Sequence, residues 1–439
     1  MAVKSLFPDG NRCKNSLEAR IESAICPGCA CLCDDIDVTV VDNRISLADN
    51  ICLWGASKMF SQQRFHPKKE RRRLQQPQIK HRGRWETVVY EDAVNRAAEI
   101  LSQARKPVIY GLTNSGCWAQ EAALTLARRA RARLEPADLD FKAPYYQSLM
   151  KYGLRWAPLE MIRDEADTFL FWGANPLHSC PRHVVRYSVF SRGRFTERGI
   201  EERRTAAVDL HRTELAEFVN IFVQIESGQE LALLEGVRRT VSGQKPIRPV
   251  RGVRRLANLL QEASYGVIFF GRGVSYGPTE ELLDGLAALT VELNQKAPAI
   301  LFPLSADFNS VGLYHLLLRE LGSPLAPDFG GDTGCSFCAE PVRLQDRDAL
   351  VVCGADLFWF LTLEQISDLK RRRTPVVVLS PFANRSAGHA DVVLPVALAG
   401  VEVPEIAYRM DGLPLCLPQL VSSSLPADSQ VLQDLAKAL

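Results

Sequence analysis

Two stretches of this chain repeat one layout, and that echo constrains the fold more than any other feature. EADTFLFWGANP at 165–176 and DRDALVVCGADL at 346–357 each run from an acidic residue through a short apolar strand into Gly-Ala-Asn or Gly-Ala-Asp. Each is followed about thirty residues later by a stretch expected to form a second apolar strand, TAAVDLHRTELAEFVNIFVQI at 205–225 and TPVVVLSPFANRSAGHADVVLPV at 374–396. A second pair, KPVIYGLTNSGCWAQEAALTLARRA at 106–130 and YGVIFFGRGVSYGPTEELLDGLAAL at 265–289, passes from a strand through a glycine turn into an amphipathic helix. Continuous apolar strands alternating with helices belong to parallel sheets covered on both faces. The expectation is an α/β protein of two related Rossmann-like lobes. The strands near 168–172 and 349–353 should be buried and end at Gly173 and Gly354.

Ahead of the lobes stands CPGCACLCDDIDVTVVDNRISLADNIC, residues 26–52, with Cys26, Cys29, Cys33 and Cys52 spaced C-x2-C-x3-C-x18-C. Three thiolates on one tight loop can cover one face of a cubane, and a fourth arriving after a short strand excursion completes it. A [4Fe–4S] cluster is one reading. Zinc is another, since four thiolates suit it as well, and reduced structural cysteines are the third. Cys31 lies inside the loop, outside the spacing. The alternation of IDVTVV pins the loop to a small β-rich domain.

The 439 residues carry a formal net charge of +2 and allow about three domains. The division expected is 1–85 for the cysteine domain, 86–140 with 262–320 for the first lobe, and 141–261 with 321–439 for the second. MAVKSLFPDGNRCKN lacks the apolar run of a signal peptide, and no stretch reaches the ~18 apolar residues of a spanning helix. Twelve cysteines without a signal argue for a reducing compartment, and the expectation is a cytoplasmic protein with no membrane partner. Arginine outnumbers lysine 40 to 13, with clusters at Arg71–Arg73, at Arg128, Arg129, Arg131 and Arg133, and at Arg371–Arg373. Solvated helix faces account for such runs; recognition of an acidic coenzyme or partner is the sharper alternative. Near-neutral charge without a binding motif speaks against nucleic acid.

Glycine turns at strand ends are where such sheets receive nucleotides or pterins, although GRGVSYG is not a complete G-x-G-x-x-G and is weak evidence alone. Taken together, CPGCACLCDDI, NICLWGASKMF, YGLTNSGCWAQEA, FWGANPLHSCPRH with RGRFTERG, and HADVVLPVALAG leading to AYRMDGLPL carry a specific resemblance. The chain resembles the B-type subunits of the formylmethanofuran dehydrogenase family, within the molybdopterin oxidoreductase superfamily, along nearly its whole length. It looks most like the branch found in bacterial formyltransferase/hydrolase complexes. The resemblance implies a cytoplasmic subunit of a tetrahydromethanopterin-linked one-carbon complex with partners of A, C and D type. A methanofuran-like coenzyme would be held mainly by those partners, which also carry the transferase and hydrolase chemistry. It implies a vestigial pterin cavity at Gly111, Asn175, Pro176 and His178, and Cys26, Cys29, Cys33 and Cys52 as metal ligands.

The sequence departs from the family where the metal should sit. The dehydrogenases have a Cys-His-Gly-Pro stretch whose thiolate ligates molybdenum or tungsten; here the matching residues are Phe141-Lys142-Ala143-Pro144. Phe141 has no lone pair for a metal, and Lys142 puts a cation where an imidazole stands. Pro404-Glu405-Ile406 likewise replaces a Glu-Gly-Thr-like turn. Cys117 is a poor substitute ligand, because a free cysteine at a helix start more often packs. The expectation is a scaffold without molybdopterin or tungstopterin and without catalytic residues of its own. The runner-up is an active dehydrogenase subunit whose pterin-held metal lacks a protein thiolate. A third reading joins His178, Cys180 and His183 to the Cys335-x2-Cys338 pair in a zinc-stabilised binding module.

Overall fold

The computed structural model describes residues 18–61, 73–331 and 334–439. The amino-terminal MAVKSLFPDGNRCKN, and Arg71 and Arg72 of the first arginine cluster, lie outside the described residues. Among the described residues no helix is long and apolar enough to cross a membrane.

The strands Glu18–Ala24, Ile36–Val41 and Arg44–Asp49 form a small antiparallel sheet. In the middle strand Ile36, Val38 and Val40 point inward, as the alternation requires. Leu53–Met59 then forms a short helix with Cys52 immediately before it.

Five parallel strands make the second sheet, in the order Ile221–Gln224, Arg204–Asp209, Thr168–Trp172, Gly266–Phe270, Ala299–Pro303. The nine-stranded sheet has a parallel centre, Arg133–Pro136, Pro107–Gly111, Ala349–Cys353, Val376–Ser380 and Val392–Pro395. Antiparallel pairs close its two edges: Ala326–Gly331 with Gly334–Cys338, and Gln78–His81 with Arg84–Thr87. Both echo strands are fully buried. Each ends where Gly173 and Gly354 turn the chain at φ of 55° and 61°. Burying each large apolar side chain of such strands contributes about 1.5–3 kcal/mol.

Strand pairing corrects the division read from the sequence. Gly266–Phe270 bonds to Thr168–Trp172, and Ala349–Cys353 bonds to Pro107–Gly111, so 107–136 and 349–395 share one sheet while 168–303 form the other. The residues 78–85, expected with the cysteine domain, lie in the edge strands Gln78–His81 and Arg84–Thr87 of the nine-stranded sheet. Similar segments sit in corresponding places of different sheets, and likeness between segments does not say which of them share hydrogen bonds. The stretches 205–225 and 374–396 each hold two strands rather than one.

Candidate functional site

The cysteine loop is closed by its own backbone: the Cys26 N–H donates to Cys33 O at 2.9 Å and the Leu32 N–H to Cys29 O at 3.1 Å. Cys26, Cys29, Cys31 and Cys33 are all buried, and Cys52 is half-buried. The Gly28 N–H donates to Cys26 Sγ at 3.4 Å. Two glycines make room around that sulfur: a Cβ on Gly55 would lie 2.6 Å from Cys26 Sγ, and one on Gly28 would lie 2.7 Å from the Gly55 nitrogen. The first turn of the Leu53–Met59 helix therefore presses directly on the loop.

Burial pushes the Cys26 thiol above its usual range, and the charges of Cys33, Cys29 and Cys52 add to the effect. Burial and Cys29 raise Cys33 to about 11, against the pull of Arg182 and Arg186. A hydrogen bond from Cys31 lowers Cys29, while Cys31 itself is raised by its contacts with Cys180 and Cys29 and by burial. Cys26 thus lies within electrostatic reach of Cys29, Cys33 and Cys52. As they stand, no three His, Cys, Asp or Glu side chains among the described residues are arranged to hold a metal ion.

Cations surround the loop. Lys58 Nζ donates to Pro27 O at 2.8 Å and lies 4.3 Å from the centre of the Phe308 ring. Burial lowers its pKa to about 8 against the opposing influence of Asp307, Cys26 and Cys29. Arg182 forks onto Asp35 at 2.5 and 2.6 Å, and Arg186 reaches Asp34 at 2.7 Å. The Asp34-Asp35 pair after the cysteines thereby clamps the small domain to the NPLHSCPRH segment. The Met410 N–H donates to Ala30 O at 2.9 Å, and Arg409 beside it is buried and pairs with the buried Asp411 and the partly exposed Glu160, so AYRMDG supports the loop from behind.

Phe141 and Lys142 lie in the first turn of the Leu139–Tyr152 helix, and both are buried. Lys142 Nζ has no hydrogen-bond partner among the described residues. Burial lowers its pKa to about 8, partly offset by Asp138, Asp307 and Cys180. Asp138, one turn earlier, is raised by burial to about 6 and accepts from Ser310 Oγ and from Tyr314 OH. Asp307 accepts from Asn114 Nδ2 at 2.7 Å. The Arg272 guanidinium lies 5.8 Å from the Phe141 ring and pairs with Asp140. These side chains come from the carboxyl ends of strands in both sheets, where α/β folds place their ligands.

The other expected residues are spread. Gly111, at φ 116°, abuts Cys353 O and Ala355, so its lack of a side chain is needed by the crossing of two chain segments. Asn175 and His178 meet at Glu214, at 3.0 and 3.2 Å; Pro176 is buried and His178 is exposed. Cys117 opens the Cys117–Arg129 helix and accepts from Asn309 Nδ2 at 3.6 Å; burial raises its thiol to about 11. Glu405 accepts from the Trp118 N–H at 3.2 Å, at the start of the same helix, and burial raises it to about 7.

The zinc grouping is not formed. Cys335 and Cys338 lie on an edge strand of the nine-stranded sheet, and the Cys335 thiol donates to Ser336 O. His183 is buried against Phe269 and bonded to Ser188, in the segment beyond the five-stranded sheet. Hairpin pairing with Ala326–Gly331 fixes the two cysteines on that edge. Sequence reasoning missed Lys58, Asp138 and Asp307. For Asp138 a signal existed, since an acid four residues before Lys142 faces it across one helical turn.

The fold is shared with acetylene hydratase from Pelobacter acetylenicus, which superposes with a TM-score of 0.66 at 13% identity, covering 95% of this chain and 69% of that one. A chain of the formyltransferase/hydrolase complex from Methylorubrum extorquens, solved with methylofuran, superposes with a TM-score of 0.65 at 20% identity, covering 82% of this chain and 98% of that one. In sequence the chain is similar throughout to the B-type subunits of formylmethanofuran dehydrogenases. Those of the tungsten-containing formylmethanofuran dehydrogenase 2 of Methanococcus maripaludis and of Methanocaldococcus jannaschii are 27% and 28% identical to it, each across 95% of this chain and 98% of the relative. No family model matches. The resemblance read from the motifs therefore stands.

Proposed function

We propose that this chain is the B-type subunit of a cytoplasmic one-carbon complex related to formylmethanofuran dehydrogenase, of the formyltransferase/hydrolase kind, in which it serves as a scaffold. Partners of A, C and D type would carry formyl transfer from tetrahydromethanopterin to a methanofuran-like coenzyme, and its hydrolysis to formate. The observation that carries this reading is the pair Phe141 and Lys142, both buried at the start of one helix, with Lys142 Nζ inside and unbonded. An aromatic ring and an ammonium do not fit the ligation of molybdenum or tungsten. A pterin-held metal placed there would displace packed side chains without gaining a thiolate bond.

The donor chemistry of the cysteine loop, four thiols, suits a four-thiolate group once the sulfurs converge on it; as it stands, no metal geometry is formed among the described residues. Lys58, Arg182 and Arg186 lie beside the thiols, where a positive field favours thiolates. Cys26, Cys29, Cys33 and Cys52 would hold a [4Fe–4S] cluster, whose bound form supplies one-electron chemistry.

The similarity to tungsten-containing subunits favours a second reading, an active dehydrogenase subunit. Elemental analysis of the complex purified from its own host separates the two. The scaffold reading expects about four iron atoms per chain, lost on Cys26→Ser, and neither molybdenum nor tungsten. Stoichiometric molybdenum or tungsten, with viologen-linked oxidation of the formyl carrier, replaces it with the second reading. Zinc in place of iron sinks the cluster assignment.

A further inference from the structure

Beyond the strand Ala349–Cys353 the chain turns outward into a single helical turn, Leu357–Phe360. Leu357 and Phe358 are buried, whereas Trp359 and Phe360 are 65% and 62% exposed, and Leu363 shortly after is 82% exposed. Scattered exposed apolar residues are ordinary; adjacent large ones mark a contact surface.

Cations lie on these rings. Arg385 is 5.4 Å from the centre of Trp359 and Arg272 is 5.5 Å from that of Phe360. The neighbouring edge strands repeat the arrangement, with Lys80 5.3 Å from the centre of Trp85. His389 connects the two: it stacks on Phe358 at 4.8 Å, and Lys370, Lys80 and Arg385 all add to burial in lowering its pKa. The acids nearby are mostly engaged. Asp140 pairs with Arg272, and Asp368 with Arg371 and Arg372. Asp356 accepts from the N–H groups of Arg385 and Ser386. Glu364, in the first turn of the Leu363–Arg372 helix, adds an opposing charge beside Leu363.

A solvated charge run needs no aromatic beneath it, and leaving large rings in water forgoes their burial. Cations laid over exposed rings make sense when a partner covers both, because desolvation strengthens the cation–π contact and buries the ring. Asp356 already fills the backbone amides that start the Arg385–His389 helix, so the free donors of this face are side-chain cations rather than an amide cradle for phosphate.

We propose that the face formed by Trp359, Phe360, Leu363, Arg385 and Lys80 docks an acidic polypeptide segment. Its apolar side chains cover the rings, and its carboxylates meet Arg385, Lys370 and Lys80. Aromatic and arginine residues are the anchors of such surfaces.

The test uses the full chain and a fluorescein-labelled octapeptide of alternating Glu and Leu, followed by fluorescence anisotropy. Expected is saturable binding that weakens with salt, and that falls about tenfold in Trp359→Ala and in Arg385→Glu. Circular dichroism and thermal melting should match the wild type in both variants. No saturable binding, or unchanged affinity in either variant while the fold is kept, overturns the proposal. So does equal affinity for the octapeptide with Lys in place of Glu, or full competition by GMP, inorganic pyrophosphate or phosphatidylglycerol vesicles.

Discussion

The cysteine loop and the start of the Leu139–Tyr152 helix are both buried and both carry charge, yet they are built on opposite terms. At the loop the polar groups are matched locally: the Cys26 and Leu32 N–H groups bond within it, Cys26 Sγ accepts an amide, and Lys58 has an acceptor in Pro27 O. Glycine lets the backbone approach the sulfur where a side chain would clash. At the helix start a ring occupies the interior and an ammonium is buried without a hydrogen bond, balanced through space by Asp138 and Asp307. The first region is closely packed around its thiols, with glycine at the contact. The second holds a ring and an ammonium in its interior and tolerates a strained electrostatic arrangement, because burying a charge without direct partners costs several kcal/mol. The two regions thus differ in glycines and satisfied donors rather than in burial.

The largest effect that would break this contrast concerns the buried charges. Asp138→Ala should destabilise the protein by about 3 kcal/mol in urea unfolding, because it strands Lys142, and adding Lys142→Met should recover most of that loss. If the single change is neutral, the two groups are not coupled. The pH dependence has a definite sign. Lys142 and Lys58 are lowered from 10.5 to about 8, so between those values the unfolded chain binds more protons and stability rises with pH. Lys142→Met should reduce that alkaline rise, leaving the Lys58 part. Asp138 is raised from 3.8 to about 6, so across that window the folded chain holds the extra proton and stability falls as pH rises.

A smaller effect sharpens the other side. Gly55→Ala should cost about 1–3 kcal/mol, since its Cβ would meet Cys26 Sγ at 2.6 Å and Ile51 Cγ1 at 2.7 Å. Gly388→Ala, with nothing within 4 Å of the added carbon, should be neutral or slightly stabilising in the same thermal melts. Equal effects at the two glycines would remove the argument that the contact with Cys26 requires glycine at 55. The smallest expected effect is at the clamp. Arg182→Lys retains the charge but loses the fork on Asp35, and should cost about 1 kcal/mol or less in chemical denaturation, because these side chains are 20% and 37% exposed.

Much of the architecture was legible because it depends on local pattern. Five-residue apolar runs such as TFLFW and ALVVC have few homes except a parallel sheet, and the left-handed turns after them ask for glycine at 173 and 354. Spacing singled out the four cysteines, and IDVTVV showed its buried face through alternation. The partition of strands between sheets was not legible, since Gly266–Phe270 resembles Pro107–Gly111 in sequence yet bonds to Thr168–Trp172. Nor was the function of Gly111, which is required by the closeness of Cys353 and not by any motif.

The sequence by itself determined the residue types at each critical position: thiols at 26, 29, 33 and 52, a ring and an amine at 141 and 142, and strands whose composition demands burial on both faces. Tertiary structure alone decided that Lys58 reaches back to Pro27, that Arg182 and Arg186 close on Asp35 and Asp34, and that Lys142 shares its interior with Asp307 from the far side of the fold. The physical reason is range. Propensity and periodicity act over a few neighbouring residues, whereas desolvation and Coulomb interaction act on whatever the packed chain brings within several ångströms.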